Sequence, residues 1–368
     1  MDTDDQVYRD LQKFLDTTPG GFTATESGSD IRLLKRLFTP EEARVATFLT
    51  MKPEPIHTIH NRAEKSGMSI SIQELERILD SMLHKGTLMP RYEGYDETHY
   101  CCTDTTSGGF ITLQVDRLSK ELMSDLMSYR TEATEGKPPA PRGYSSLRTV
   151  PVQESIPHPE KLSVSTYDNI REIIESLPGP ISVANCICRQ VKKINGGKCS
   201  KTELEESCII IGPDHARHYV DMGIAHYITK EEVFDILTKA QEDGLVLQPE
   251  NSQRPEAICC CCGDCCVYLN PYKTLPRPAD MYLSNYYSEV DPESCTGCGK
   301  CVEKCQLEAR AIVEGTAVVN VDRCIGCGNC IAICPSSASH LRKKEEETVP
   351  VKDKDAYYMK LLQSRQGK

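Results

Sequence analysis

The sequence predicts an α+β fold built from several domains, and three observations point to it. The N-terminal part carries capped amphipathic helices followed by two short strand-like runs. A Pro-rich stretch then interrupts the chain between residues 137 and 159. Beyond it the cysteines crowd together, with fourteen of the twenty lying after residue 208. Length agrees, since 368 residues suffice for two or three domains that each bury a core.

Residues 1–30 read as an N-terminal helix and linker, with the helix at Val7–Leu15 and a polar loop over Thr17–Ser29. Thr39-Pro-Glu-Glu42 is a capping box with Pro at the first helical position. Its hydroxyl and carboxylate satisfy N–H groups that a helix start leaves open, so a helix begins here and runs to about Met51. A second helix covers His57–Ser66. In a third, Ser71–Lys85, the residues Ile72, Leu75, Ile78, Leu79, Met82 and Leu83 form one apolar stripe, and Gly86 stops it. Thr87–Arg91 and Thr98–Thr103 follow as the strands of a wing, in which Cys101 and Cys102 read as small buried hydrophobes. Three helices and a hairpin in this order resemble a winged helix-turn-helix. Residues 31–130 are therefore expected to form a winged-helix-like domain, with one more helix at Leu118–Tyr129.

Residues 131–165, with Lys137-Pro-Pro-Ala-Pro-Arg142 and Pro151 to Pro159, look like an extended Pro-rich connector. Residues 166–275 form a cysteine-rich middle, expected to be mainly helical. One helix at Tyr167–Ser176 ends at Pro178-Gly-Pro180, and another opens at the capping box Thr229-Lys-Glu-Glu232 and stops at Gly244. The ordered C-terminal module spans 288–340, and 341–368 is a charged tail with a closing helix at Asp355–Ser364.

Composition narrows the class. With 39% hydrophobic and 26% charged residues the chain is ordinary globular material. No apolar run approaches the roughly 20 residues of a spanning helix. The start, Met1-Asp-Thr-Asp-Asp5, is acidic where a secretory signal is basic, so a cytoplasmic protein is expected. A net charge of −11 argues against a nucleic-acid partner and suits docking to other proteins. Without an export signal, twenty cysteines at ligand-like spacings read as metal-binding thiolates before disulfides. No phosphate loop, dinucleotide fingerprint or Ser-His-Asp order is present. His215 and His218 flank Arg217 and are expected on a solvated helix face.

Two runs carry the chemistry. Cys295-Thr-Gly-Cys298-Gly-Lys-Cys301-Val-Glu-Lys-Cys305 has the spacing C-x2-C-x2-C-x3-C. Cys324-Ile-Gly-Cys327-Gly-Asn-Cys330-Ile-Ala-Ile-Cys334-Pro335 repeats it. A tight C-x2-C-x2-C loop delivers three thiolates to one face of a cubane, and the fourth Cys reaches the other cluster. Cluster I is thus assigned to Cys295, Cys298, Cys301 and Cys334, and cluster II to Cys324, Cys327, Cys330 and Cys305. Between the runs, Ala311–Asn320 reads as a hairpin turning at Gly315. The stretch 288–340 resembles the bacterial two-cluster ferredoxin domain, which implies two [4Fe–4S] clusters and one-electron transfer. One departure is Gln306, which stands where the first run usually has Pro.

The middle holds ten cysteines between residues 186 and 266: Cys186-Ile-Cys188-Arg189, Cys199, Cys208 and the block Cys259–Cys266. Adjacent cysteines diverge, so the block cannot serve one metal as a whole. Arg189 and Lys198 stand ready to offset cluster charge. In order, these elements and the Gly244-Leu-Val exit resemble a cysteine-rich region upstream of ferredoxin modules in iron–sulfur proteins of anaerobic bacteria. The resemblance implies at least one further cluster, drawing on Cys188, Cys199 and Cys208 with one or more of Cys259, Cys261, Cys262 and Cys265. Structural zinc is the first alternative, and free thiols or a redox disulfide the second.

The rival to an electron carrier is a redox-sensing DNA-binding regulator. Its recognition helix would be Ser71–Lys85, where Glu74, Glu76 and Asp80 outnumber Arg77 and Lys85, and the wing adds Glu93, Asp96 and Glu97 against Arg91. Those charges suit protein docking better than a duplex. The expected function is an electron-transfer subunit or adaptor of an anaerobic oxidoreductase complex. With no site for hydride chemistry in this chain, a flavin-containing partner is implied. Whether the chain is an enzyme by itself is left open.

Overall fold

The computed structural model describes residues 3–92, 94–103, 109–135, 144–157 and 162–366. Glu93 of the wing, the run Lys137–Arg142 and the pair His158-Pro159 lie outside the described residues. The chain divides into two compact units, one of Met1–Pro138, Pro213–His226 and Tyr358–Lys368, the other of Pro139–Gly212 and Tyr227–Tyr357.

The first unit opens with α1 (Thr3–Asp16), α2 (Ser29–Leu37) and α3 (Pro40–Ala46). The capping box is formed as expected: Glu42 N–H reaches Thr39 Oγ1 at 3.2 Å and Thr39 N–H reaches Glu42 Oε2 at 2.8 Å. The helix stops well before Met51, where the N–H groups of Thr47, Phe48 and Leu49 turn to the carbonyls of Arg44, Val45 and Ala46, three residues back. Next come β1 (Glu54–Pro55), α4 (Ile56–Lys65), α5 (Ile72–Lys85), β2 (Leu88–Arg91), β3 (His99–Cys102), α6 (Gly109–Thr112) and α7 (Lys120–Thr134). The strands form an antiparallel sheet in the order β1-β3-β2. On α5 the stripe Leu75, Ile78, Leu79 and Met82 is buried, and Glu74, Glu76, Arg77 and Asp80 are exposed. Cys101 and Cys102 are buried in the sheet.

In the second unit, α8 (Ile170–Ser176), β4 (Ile181–Asn185), α9 (Ile187–Ile194) and β5 (Glu206–Ile211) precede α10 (His215–Asp221), which belongs to the first. His218 on α10 is buried, against expectation, and burial pushes its imidazole down to about 4. The chain returns through β6 (Ala225–Ile228) to α11 (Lys230–Glu242), β7 (Val246–Pro249) and β8 (Ala257–Cys261). These strands make a five-stranded sheet in the order β6-β4-β5-β8-β7. The mainly helical expectation for 166–275 is thus corrected. A short apolar run such as Cys208-Ile-Ile-Ile211 or Ile258–Cys262 has no alternation to announce a strand when both sheet faces are covered.

The C-terminal module contains β9 (Tyr286–Val290), α12 (Lys300–Glu303), β10 (Arg310–Val313), β11 (Thr316–Val319), α13 (Asn329–Ala332) and β12 (Ser339–Lys343), and α14 (Lys354–Gln366) closes the chain. The β10–β11 hairpin turns through Gly315, as its sequence predicts. β9 and β12 pair antiparallel and bring the two ends of the module together. The described part of the Pro-rich segment, 144–157, is threaded into this unit. Val150 N–H bonds Leu247 O at 3.2 Å, and Val152 N–H bonds Cys327 O at 3.0 Å. A buried ion pair, Arg148 to Asp168 at 2.8 Å, anchors it. Among the described residues no helix is long and apolar enough to cross a membrane.

Candidate iron–sulfur centres

Each C-x2-C-x2-C run forms a loop that ends on a single-turn helix, α12 or α13. Gly297, Gly299, Gly326 and Gly328 all have φ between 65° and 81°. Two of them also let another backbone pass. A Cβ at Gly297 would lie 2.1 Å from Gly315 O, and one at Gly326 would lie 2.2 Å from Tyr286 O. Glycine is needed there on both counts.

The eight cysteines border two cavities. One is lined by Cys295, Cys298, Cys301 and Cys334, the other by Cys305, Cys324, Cys327 and Cys330. These are the two sets that the spacing interleaves. Donors face the sulfurs: Ala317 N–H to Cys295 Sγ at 3.3 Å, Ala309 N–H to Cys305 Sγ at 3.2 Å, and Arg310 Nη2 to Cys330 Sγ at 3.0 Å. Burial pushes the Cys330 thiol up to about 11, against the pull of the Arg310 guanidinium. No Asp or Glu lines either cavity among the described residues, whereas Lys300, Lys304, Arg310 and Arg323 do. Four thiols, inward N–H groups and a cationic wall fit a negatively charged iron–sulfur cluster. Cys298 is exposed at one end of the module, and Cys324 and Cys330 are buried.

In the middle, strand alternation divides the cysteine block. Cys259 and Cys261 face one side of β8, and Cys208 lies directly across from Cys259 on β5. Cys260 and Cys262 face the other side and pack with Ile209 and Ile258. On the first side six thiols follow one another as neighbours that shift each other's ionisation: Cys188 with Cys186 and Cys266, Cys261 with Cys266 and Cys259, and Cys259 with Cys208. On the second side Cys199, Cys262 and Cys265 stand together, with Sγ–Sγ separations of 3.7 Å for Cys199–Cys262 and 3.5 Å for Cys262–Cys265. The contact with Cys265 and the backbone N–H groups of Cys265 and Asp264 pull the Cys262 thiol down to about 5, against its burial.

Of the expected ligands, Cys199 thus stands apart from Cys188 and Cys208. Cys188, Cys208, Cys259 and Cys261 share a side; Cys199, Cys262 and Cys265 occupy the other. Cys186 and Cys266, absent from the expected ligands, join the first group. The available signal for both was their spacing: Cys186 lies two residues from Cys188, and Cys266 follows the loop after β8.

Arg189 and Lys198 differ in setting. Arg189 is buried, donates to Ser207 Oγ and to Cys260 O at 2.9 Å, and lies near Cys186, Cys260, Cys262 and Cys199. Its Nε, also buried, has no hydrogen-bond partner. Lys198 instead pairs with Glu203 at 2.6 Å on an exposed surface. Asp264 accepts from Lys192 and, through its other oxygen, from Ser200 N–H at 2.7 Å, which pins the Cys199 segment against the Cys262–Cys265 turn. Gln306 bridges the middle and the ferredoxin-like loops: its Oε1 accepts from Gly263 N–H and its Nε2 donates to Gly244 O, both at 2.8 Å. Cys261 and Cys266 share one packed core with Leu307 and Ile325, against which Cys259 and Cys327 also rest.

Comparison with known proteins agrees with this geometry at the C-terminal end. The family model of the 4Fe-4S dicluster domain matches residues 288–335. No curated protein and no solved structure matches the chain. The module at 288–335 is thus a 4Fe-4S dicluster domain, and the chain is an iron–sulfur protein of mixed helix and sheet.

Proposed function

We propose that this chain is an electron-transfer subunit or adaptor of an anaerobic oxidoreductase complex, working as a wire of three centres. When bound, the clusters would supply one-electron redox chemistry and no group transfer. Cys295, Cys298, Cys301 and Cys334 would hold the first, Cys305, Cys324, Cys327 and Cys330 the second. The six-sulfur array of Cys186, Cys188, Cys208, Cys259, Cys261 and Cys266 would supply the ligands of a further one.

The observation that carries the reading is the shared core of Cys261 and Cys266 with Leu307 and Ile325, with Cys327 resting on it. It sets the middle array beside the second cavity with apolar side chains between them. The exposure of Cys298 supports electron exchange with a partner at the first cluster. Along the way, Arg310 and the Ala309 and Ala317 N–H groups hold charge on the ligand sulfurs in place.

In the first unit, the order α3, β1, α4, α5 and the β2–β3 hairpin supports a winged helix. The acidic outer face of α5 favours a protein partner over DNA, and a flavin-containing redox subunit in the cytoplasm suits a chain that lacks a hydride site. Iron and acid-labile sulfide, counted on anaerobically purified protein, test the wire. About twelve irons or more per chain are expected, and about eight would remove the middle centre. Salt-dependent duplex binding that follows the cluster state would favour the regulator instead.

A further inference from the structure

We infer that Cys199, Cys262 and Cys265 form a separate mononuclear metal site for a thiophilic divalent cation, Zn²⁺ or Fe²⁺, with a fourth position left to a small exchangeable ligand. This goes beyond the electron-transfer reading and does not depend on it.

Sulfur spacing is the first argument. A tetrahedral ion bound at about 2.3 Å by thiolates sets their sulfurs about 3.8 Å apart. The observed separations are 3.7 Å for Cys199–Cys262 and 3.5 Å for Cys262–Cys265, with all three sulfurs within 4.8 Å of one another. A cubane interposes four irons and spreads its thiolates wider. Among the described residues, Cys199, Cys262 and Cys265 are the one set of three ligating side chains drawn this close.

Topology is the second argument. Cys262 lies on the side of the sheet opposite Cys259 and Cys261, with Cys260, Ile209 and Ile258 packed around it. The trio therefore cannot complete the six-sulfur array across the strand. Cys262-Gly-Asp-Cys265 is a C-x2-C turn, a bidentate unit of the kind zinc sites use, and Cys199 comes to it from a distant loop. Asp264 holds that loop, accepting Ser200 N–H at 2.7 Å and Ser200 Oγ at 3.0 Å. On this reading Asp264 is a positioning residue and not a missing ligand.

The third argument is an unpartnered donor. Arg189 is 9% exposed, its Nε is buried without an acceptor, and its guanidinium is held at Cys260 O, beside Cys262 on the strand side that Cys260 and Cys262 share. Three thiolates on a divalent ion leave a net negative charge, which that guanidinium offsets. No fourth cysteine sulfur lies within the close group, so the site is open in the manner of a three-ligand centre. Cys199 and Cys265 are half-buried, so a small ligand can reach it.

The test is metal analysis of the anaerobically purified full chain, counting zinc, iron and acid-labile sulfide together. One metal per chain is expected beyond the iron matched by sulfide. Cys199→Ser and Cys265→Ser should each lose that one metal and keep sulfide, whereas Cys188→Ser and Cys266→Ser should keep it. Visible absorption from the clusters reports folding of each variant. Growth with added cobalt should load the site with Co²⁺ and give thiolate charge-transfer bands that vanish in Cys262→Ser. All metal accounted for by sulfide-matched iron would overturn the site. So would equal loss of the extra metal in Cys188→Ser. Reversible oxidation of the Cys262 and Cys265 thiols to a disulfide, with no extra metal, would replace the site by a redox pair.

Discussion

Gln306 and Gly263, 43 residues apart in sequence, are joined by a hydrogen bond of 2.8 Å from the Gly263 N–H to the Gln306 side-chain carbonyl. The same side chain donates to Gly244 O, so it closes a bridge beside Cys305 and the Cys262–Cys265 turn. Gln306→Ala leaves the buried Gly263 N–H without an acceptor, whereas Gly244 O keeps a second donor in Asn329 Nδ2. The expected cost is about 1–3 kcal/mol. It should appear as a lower temperature for loss of cluster absorbance with iron content unchanged. An unaltered transition would show that the bridge carries no stability. Gly263→Ala should be worse, because its Cβ would meet Gln306 O at 2.1 Å.

Arg310 offers a handle on potential. Its guanidinium donates to Cys330 Sγ at 3.0 Å in a buried setting, favouring the more negative, reduced state. Arg310→Ala should lower the potential of one centre, by about 60 mV for each 1.4 kcal/mol of interaction lost. Arg310→Lys should fall between. A redox titration followed by paramagnetic resonance reads both centres at once, and two unchanged potentials would refute the assignment.

The ion pair Arg148–Asp168 is nearly inaccessible to water, and Asn285 Nδ2 also donates to Asp168 at 2.8 Å. Removing one partner strands the other charge. Arg148→Met or Asp168→Leu should each cost about 3–5 kcal/mol, and the double replacement should recover much of it. Anaerobic denaturation of the four proteins measures the coupling. Simple additivity would mean that the pair does not act as one.

His218 gives the first unit a pH dependence. Burial holds its imidazole down to about 4 from an ordinary 6.5, so the folded state keeps it neutral where the unfolded chain takes up a proton. Stability is therefore full above pH 6.5 and falls as the pH drops toward 4, by about 3 kcal/mol at most. His218→Leu should flatten that slope. Amide exchange in residues 213–226, compared at pH 7 and pH 5, reads it locally; parallel slopes would locate the titration elsewhere.

Where a local rule decides structure, the sequence was legible. Thr39 and Thr229 announce helix starts because capping boxes depend on residues three apart. The two C-x2-C-x2-C-x3-C runs were readable for the same reason, and their cysteines line two cavities. Helix α2 was not, since it begins after Gly28 with no capping side chain. Gln306 was visible as a departure from the usual Pro, but its meaning lies in Gly263 and Gly244, which no local reading connects to it. The middle cysteines failed for a related reason. Their division follows from alternation, and alternation could not be applied until Ala257–Cys261 was recognised as a strand.

That strand also poses a problem of reading frame. Four identical residues in a row, Cys259 to Cys262, give the sheet no way to distinguish a correct pairing from one slipped by a single position. A slip would still show thiols on both sides, but each would answer to the wrong partners. Ile258, fully buried beside Ile209, is the residue that breaks the tie. An insertion between Ile258 and Cys259 would leave every cysteine in the chain and turn each one to the opposite side of the sheet.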